Sequence, residues 1–462
     1  MGGAAAAVGR FGHRTCDEAI PVSYNSAYVP RLPRLNISIP LALVLAVGLG
    51  CQQYSEPGGE PTGAADATAT NPPGLWSPSI SDDSGFSNAQ RREIERLRSI
   101  GYVRGVATGP AGDGVVTNEP DLAQPGLNLY HAGHAPEAFL LDMEGRVLHR
   151  WHLPYEEAFK GVARPEGRLV ASGVAMNVFW RRVHLYPNGD LLAIFEGLGL
   201  VKLDRHSGVL WAVHNSAHHE LAIADSGDIY VLTRRAHIVP AVNATEPILE
   251  DFITVLSSDG KELRSVSVLE AILNSEFSDL LDGSPLRGDI MHTNTLKLLE
   301  GIDSPRVFRG GTVLTSFRKQ DALAVIDMRR GQVVWALQGI TRGQHDPTLL
   351  DDGNLLVFDN RGRAEGASRV IEVEPDTGHI VWRYPADGGG LFTECCGASQ
   401  RLPNGNTLIT YSEPGQAVEV TRDGTIVWEF HSPHRAGVDD TLIAQLMEVR
   451  RLPEDFADDW LR

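Results

Sequence analysis

The chain has 462 residues, 42% of them hydrophobic, and a net charge of −18, enough for a large core plus an appendage. An acidic chain with no basic run lacks the means to neutralise phosphates, which excludes a nucleic-acid partner; any anion site must be locally basic against that background. Four cysteines without a CxxC pair speak against a disulfide framework or a structural zinc, and 48 glycines with 27 prolines suit an all-β chain rich in tight turns.

In chain order, Arg31 and Arg34 precede a short apolar run over 35–50 that ends at Cys51. The basic flank and the run, shorter than the ~20 residues of a spanning helix, predict an export signal. Gly48-Leu49-Gly50-Cys51 resembles a lipobox, with Gly where Leu is usual, so Cys51 is the expected lipidation site. An uncleaved membrane anchor within 1–51 is the alternative. Either way the body is expected to be exported, periplasmic or at the cell surface. Residues 52–125 are expected to be a linker: a Pro- and Gly-rich tether, one short helix over 87–101 with Ile94, Leu97 and Ile100 on one face, and a loop over 104–124.

Beyond Gly126 the chain repeats. One unit, as in AFLLDMEGRVLHRWHL (138–153) and VIEVEPDTGHIVWRYP (370–385), occurs six times and reads as a hairpin around a Gly turn. A second hairpin, as in HLYPNGDLLAIF (184–195) and PTLLDDGNLLVF (347–358), alternates with it in five copies. Two hairpins make a four-stranded sheet, and sheets at this period are propeller blades. The missing sixth inner strand is expected from 444–452, closing the ring by joining the chain ends. The predicted fold is therefore an all-β, six-bladed β-propeller over 126–462, or a five-bladed one if the last blade is incomplete.

The inner-hairpin glycines, Gly189, Gly227, Gly311, Gly353 and Gly405, give a common zero. Eight residues earlier stand His219 and His345, with Arg181 and Gly397 in two other blades. An insertion breaks the count before Gly311, and aligning HTNTLKLL with HDPTLLDD puts His292 opposite His345. Seven residues after the glycines stand Glu196, Arg234, Arg318, Asn360 and Ser412. Ring geometry brings such positions together at the axis. A single histidine at a strand end is most often a core or turn residue, but three at one blade position, absent from two blades, are not required by the fold. His218 is expected on the opposite strand face as a structural residue, and Trp211, Trp335, Trp382 and Trp428 as packing. Three imidazoles can hold a zinc ion; equally, an imidazole nucleophile beside a guanidinium suits sulfate or phosphate transfer. The nearby arginines disfavour a dication and tilt the reading to an anion.

The ordered segments RLRSIGYV, GLNLYHAGHAPEAFLLDMEGRVLHRW, HHEL, MHTNT, SFRKQD, QHDPTLLDDGNLLVFDN and QRLPNGNTLI resemble the bacterial PAPS-independent arylsulfotransferases. That resemblance implies sulfuryl transfer from an aryl sulfate donor to a phenol acceptor, without a cofactor, through a sulfated His345. It implies that Arg318 and Asn294 hold the sulfuryl group and that His219 or His292 moves protons; Arg234 and Asn360 are added as substrate-binding candidates from the ring positions. Lys319 stands where the family often has His, and 52–125 is too rich in Pro and Gly for the β-sandwich domain of some members. The rival classes are a non-catalytic exported propeller that binds a ligand, and a metal- or quinone-dependent oxidoreductase. Cys395-Cys396 reads as two buried thiols rather than a strained vicinal disulfide.

Overall fold

The computed structural model describes Ser87, Ala89, Gln90 and then residues 110–162, 179–299, 308–362, 367–386, 390–436 and 442–461. The expected signal or anchor, Cys51, the tether and most of the expected helix lie outside these residues. At that helix's start, Ser87 N–H donates to Gln90 Oε1 (2.8 Å) and Gln90 N–H to Ser87 Oγ (3.3 Å), the reciprocal pair of a capping box. No helix among the described residues is long and apolar enough to cross a membrane.

Six antiparallel sheets form the propeller. Blade 1 runs Trp180–Leu185, Leu191–Phe195, Gly199–Leu203 and Val209–Val213, from axis to rim. Blade 2 is Ala217–Ile223, Ile229–His237, Ile248–Leu256 and Glu262–Ser267. Blade 3 is Thr293–Leu298, Thr312–Phe317, Ala322–Asp327 and Gln332–Gln338. Blade 4 is His345–Leu349, Leu355–Asp359, Arg369–Val373 and Ile380–Tyr384. Blade 5 is Ala398–Arg401, Thr407–Tyr411, Gln416–Val420 and Ile426–His431. Blade 6 joins the chain ends as expected: Leu446–Leu452 is its innermost strand and pairs antiparallel with Leu127–Ala132, followed by Glu137–Leu141 and Val147–His152. The inner edge of each blade is short and protected at the channel.

The expected loop over 104–124 is corrected at Gly114–Asn118, which pairs with Ile426–His431 as a fifth, outermost strand of blade 5. Five residues without a repeated partner carry too little alternation to be read from sequence.

Apolar alternation explains the packing. Each strand sends one set of side chains to each neighbouring blade, and the buried hydrophobics fall into six clusters, each between adjacent blades. The repeated outer-strand tryptophans staple blades together: Trp211, Trp382 and Trp428 each donate Nε1–H to a turn carbonyl of the next blade, at Ser258 (3.2 Å), Arg422 (2.8 Å) and Met143 (3.1 Å). At the inner turns, Gly189 and Gly353 have φ of 86° and 88°, the left-handed conformation that favours glycine.

Halfway along the channel, buried charges link the blades. Glu448 of blade 6 meets Arg182 (2.7 Å), Arg182 meets Glu220 (2.9 Å), Lys297 meets Glu220 (3.3 Å) and Asp346 (2.9 Å), and Asp346 accepts the Ser399 N–H of blade 5 (2.9 Å). This girdle also lines a cavity of about 1160 Å³ that opens among the inner turns. The histidines stand at the other end of the inner strands, so the girdle is the floor of their pocket.

Candidate active site

The entry to the inner strand is bulged in blades 1 to 4, and the bulges aim side chains into the channel. Register shifts fall at Arg181, at His219 with Glu220, at Asn294, and at Asp346 with Pro347. Five non-glycine residues at the inner-strand entries have left-handed backbone: Ser216 (φ 58°), His219 (52°), His292 (56°), Asp346 (52°) and Cys396 (65°). Such conformations cost about 1–3 kcal/mol each and persist where the surroundings over-determine them.

The pairing register tests the blade alignment. Thr348 pairs with Leu356, Ala222 with Tyr230, His184 with Leu192, Gln400 with Leu408 and Lys297 with Leu314, each partner three residues after its turn glycine. Counting back three gives His345, His219, Arg181, Gly397 and, in blade 3, Asn294. His292 is thus not the equivalent of His345; it lies two residues upstream, and the HTNT/HDPT alignment slipped by two. It still reaches the cluster, its ring centroid 5.1 Å from that of His219. Blade 5 cannot carry a side chain here: Gly397 has φ 100°, and a Cβ would fall 2.6 Å from the Phe358 ring.

His345 is buried and held in one tautomer. Asn360 donates both Nδ2 hydrogens to main-chain carbonyls, Thr393 O (2.9 Å) and Cys396 O (2.8 Å), so its Oδ1 faces His345 Nδ1 at 2.8 Å. An amide oxygen only accepts, so Nδ1 carries the proton and Nε2 the lone pair; the Cys396 N–H approaches Nε2 at 3.3 Å. Burial, followed by the Arg318 guanidinium, pushes the His345 pKa well below 6.5, so the ring is neutral at neutral pH.

His292 donates Nδ1–H to Asp289 Oδ2 (2.7 Å). Burial lowers its pKa, with Asp289 opposing. Burial works against the Asp289 carboxylate, but His292, Lys319 and Arg234 together outweigh it and hold that pKa down. Asp289 comes from a two-residue strand, Gly288–Asp289, parallel to Ile248–Leu256. Sequence reasoning missed it; the only signal was an aspartate three residues before the histidine.

His219 is buried, and burial with Arg181 lowers its pKa well below 6.5. Its N–H donates to Glu196 Oε2 (3.2 Å). His218 does not point away as expected. The left-handed residue breaks strand alternation, and the two Nδ1 atoms share a hydrogen bond of 2.8 Å. Behind them His218 Nε2 lies 3.5 Å from Asp251, whose carboxyl pKa burial raises to about 7.

Arg318 leaves the second strand of blade 3, with Nη2 on Glu394 O (3.2 Å) and Nε buried without a hydrogen-bond partner. Asn294 braces the same joint, donating Nδ2–H to Gln344 O (2.8 Å). Arg234 pairs across the sheet with Asp251 and lies over Gly197, close enough that a Cβ there would collide with its guanidinium. Cys395 and Cys396 are thiols with Sγ atoms 3.5 Å apart. The hydrogen bond between the two thiols lowers the Cys396 pKa to about 7.

Among the described residues two sets, Glu196 with His218 and His219, and His134 with Glu137 and His434, offer ligand atoms within 4.8 Å of one another; the first lies in this cluster. Against a metal ion there, Arg181 Nε stands 3.9 Å from Glu196, and a fixed guanidinium repels a dication.

No protein of curated function matches the sequence. Among solved structures, similarity extends to a protein of unknown function from Bacteroides caccae (14% identity, 71% of this chain and 98% of that one, TM-score 0.43). It extends also to a streptogramin B lyase (15%, 73% and 87%, 0.38) and to an inactive virginiamycin B lyase from Staphylococcus aureus with quinupristin (11%, 72% and 97%, 0.39). Likeness at this level carries no argument about chemistry. The family match is of another kind: the profile described as Arylsulfotransferase (ASST) covers residues 182–433, more than half of the chain, and includes His219, His292, Asn294, Arg318, His345 and Asn360. The chain belongs to the arylsulfotransferase family.

Proposed function

We propose that the protein transfers a sulfuryl group from an aryl sulfate to a phenolic acceptor through a sulfated His345. The observation that carries this reading is the tautomer of His345: Asn360 fixes the proton on Nδ1, leaving an unprotonated Nε2 in a pocket that Arg318 makes locally basic. A neutral imidazole with a directed lone pair is an activated nucleophile.

In the first half-reaction His345 Nε2 bonds to the donor sulfur, the S–O(aryl) bond breaks, and its electron pair goes to the aryl oxygen. Arg318 offsets charge on the sulfuryl oxygens, a role worth ~10²–10³-fold in comparable sites. In the second, the acceptor phenol attacks the sulfur and the N–S electron pair returns to Nε2. The acceptor's proton passes to Nε2 of His292, whose imidazolium Asp289 stabilises. His219 packs edge-on against His292 and fixes that ring. We further propose, from the apolar run before Cys51, that the protein works outside the cytoplasm.

The test is intact-mass analysis after mixing with 4-nitrophenyl sulfate. Wild type gains one sulfuryl group and His345→Ala gains none and does not turn over; full activity in His345→Ala sinks the assignment.

A further inference from the structure

His345 enters from blade 4. In a six-membered ring the opposite blade is blade 1, and the inner strands touch neighbours in the order 1-2-3-4-5-6-1. Eight residues before its turn glycine, where blade 4 has His345, blade 1 carries Arg181, which the bulge at the strand entry frees from pairing. In an in-line displacement the leaving atom departs on the side of the sulfur away from the nucleophile, which here is the side from which Arg181 comes.

Arg181 is built as a ligand group. Its side chain is 3% exposed, and its nearest carboxylate, Glu196, is 3.9 Å away, beyond a hydrogen bond. Its Nε and Nη1 are buried without a hydrogen-bond partner among the described residues. Arg182 next door also has two nitrogens outside any hydrogen bond, but it is neutralised by carboxylates at 2.7 and 2.9 Å, whereas Arg181 has none closer than 3.9 Å. Leaving two guanidinium donors unmet costs free energy that an incoming anion recovers. Arg181 also lies within electrostatic reach of His219 and His345. The need is chemical. The imidazoles are neutral, so the aryl oxygen receives its electron pair with no charged acid beside it, and a guanidinium stabilises a phenolate without giving up a proton.

Resting on the sulfotransferase reading, we propose that Arg181 is a further catalytic residue that binds the aryl oxygen of the donor and stabilises the departing phenolate, so that the site is a phenolate pocket as well as a sulfuryl pocket. Arg318 and Arg181 then divide the transition-state charge, one on the sulfuryl oxygens and one on the leaving oxygen.

Two measurements test this on the full chain. With a series of substituted phenyl sulfates, Arg181→Met loses about 10²–10³ in kcat/KM for donors whose phenols are weakly acidic and distinctly less for 4-nitrophenyl sulfate, steepening the leaving-group dependence. Arg181→Gln, a second neutral variant, does the same. An equal loss across the series, or none, overturns the proposal, since a structural or sulfuryl-binding arginine does not discriminate among leaving groups. Independently of turnover, absorbance titration of 4-nitrophenol bound to wild type shows its pKa lowered, and the lowering disappears in either variant. An unshifted phenol on wild type overturns the proposal even if neither variant folds. A wild type that lowers the phenol pKa but transfers no sulfuryl group keeps the phenolate pocket and rejects the transferase reading; turnover with an unshifted phenol does the reverse.

Discussion

The tautomer of His345 rests on one side chain, and Asn360→Asp inverts its logic. The variant places a carboxylate 2.8 Å from Nδ1, where an amide oxygen stood. Opposite charges about 4 Å apart at an effective dielectric near 20 attract by about 4 kcal/mol, or roughly three pH units. Burial and the carbonyls of Thr393 and Cys396, which faced the amide hydrogens, oppose the new charge and reduce the shift to about 1–3 units. The sign follows from the reactive form. His345 attacks as the neutral base, and its pKa in the wild type lies well below 6.5, so kcat/KM stays level as the pH falls through 6.5 and drops only at lower pH. A raised pKa protonates Nε2 earlier on the way down, so the acid limb moves up by about 1–3 pH units. The assay is the pH profile of kcat/KM with 4-nitrophenyl sulfate. Asn360→Leu completes the test: it removes three hydrogen bonds and releases the tautomer, with kcat falling about 10²–10⁴-fold, as when other catalytic histidines lose their orienting partner. An unmoved acid limb in Asn360→Asp together with full kcat in Asn360→Leu refutes the tautomer argument.

Arg182→Met strips the girdle of its central cation and leaves Glu220 and Glu448 buried without it; stability falls by about 3–5 kcal/mol in denaturant titration, and a loss under 1 kcal/mol contradicts the account. Gly397→Ala puts a Cβ 2.6 Å from Phe358 at φ 100°, whereas Gly353→Ala meets nothing within 4 Å at φ 88°. The first costs about 2–4 kcal/mol and the second about 1, so equal thermal shifts count against the packing reading. Blade closure predicts that unpairing Leu446–Leu452 from Leu127–Ala132, by Arg450→Pro (the N–H groups of Val449 and Arg451 face blade 5, so that of Arg450 faces the paired strand), lowers the unfolding midpoint of the whole propeller in one cooperative transition; a separate early transition of blade 6 contradicts it.

The repeat carried most of the fold, because alternation and turn glycines recur in every blade and each copy corroborates the others. The site was legible where the same count applied. His219, His345, Arg318 and Asn360 stand at fixed distances from turn glycines. In blade 3 the insertion broke the count and motif similarity put His292 two residues off; counting back along the chain from the Lys297–Leu314 pair gives that position to Asn294. Asp289 was hidden because a two-residue strand in a connection has no period. His218 was misjudged because alternation fails at a left-handed residue, and a lone histidine carries no sign of its φ. The Cys396 N–H on His345 could not be read at all, since a main-chain group leaves no mark in side-chain pattern.

That main-chain contact makes a sharp distinction at Cys396. What reaches the site is its N–H, toward His345 Nε2, and its carbonyl, under Asn360; the thiol faces Cys395. If the backbone is what matters, the side chain is dispensable, provided that φ of 65° survives. Glycine accepts that conformation freely, and relief of about 1–2 kcal/mol of left-handed strain roughly offsets glycine's entropy and the lost sulfur contacts. Cys396→Gly therefore folds with stability within about 1 kcal/mol of wild type and keeps kcat/KM within a few-fold. Valine, β-branched, is least able to adopt a positive φ. Cys396→Val tilts the two peptides that flank it, 395–396 with the N–H and 396–397 with the carbonyl, and loses at least about tenfold in kcat/KM, in line with the loss of a charge-stabilising main-chain donor. The order Gly above Val separates a conformational role from a chemical one. A thiol that took part in the reaction would make both variants equally inactive, and kcat/KM of the two folded proteins with one donor decides between these outcomes.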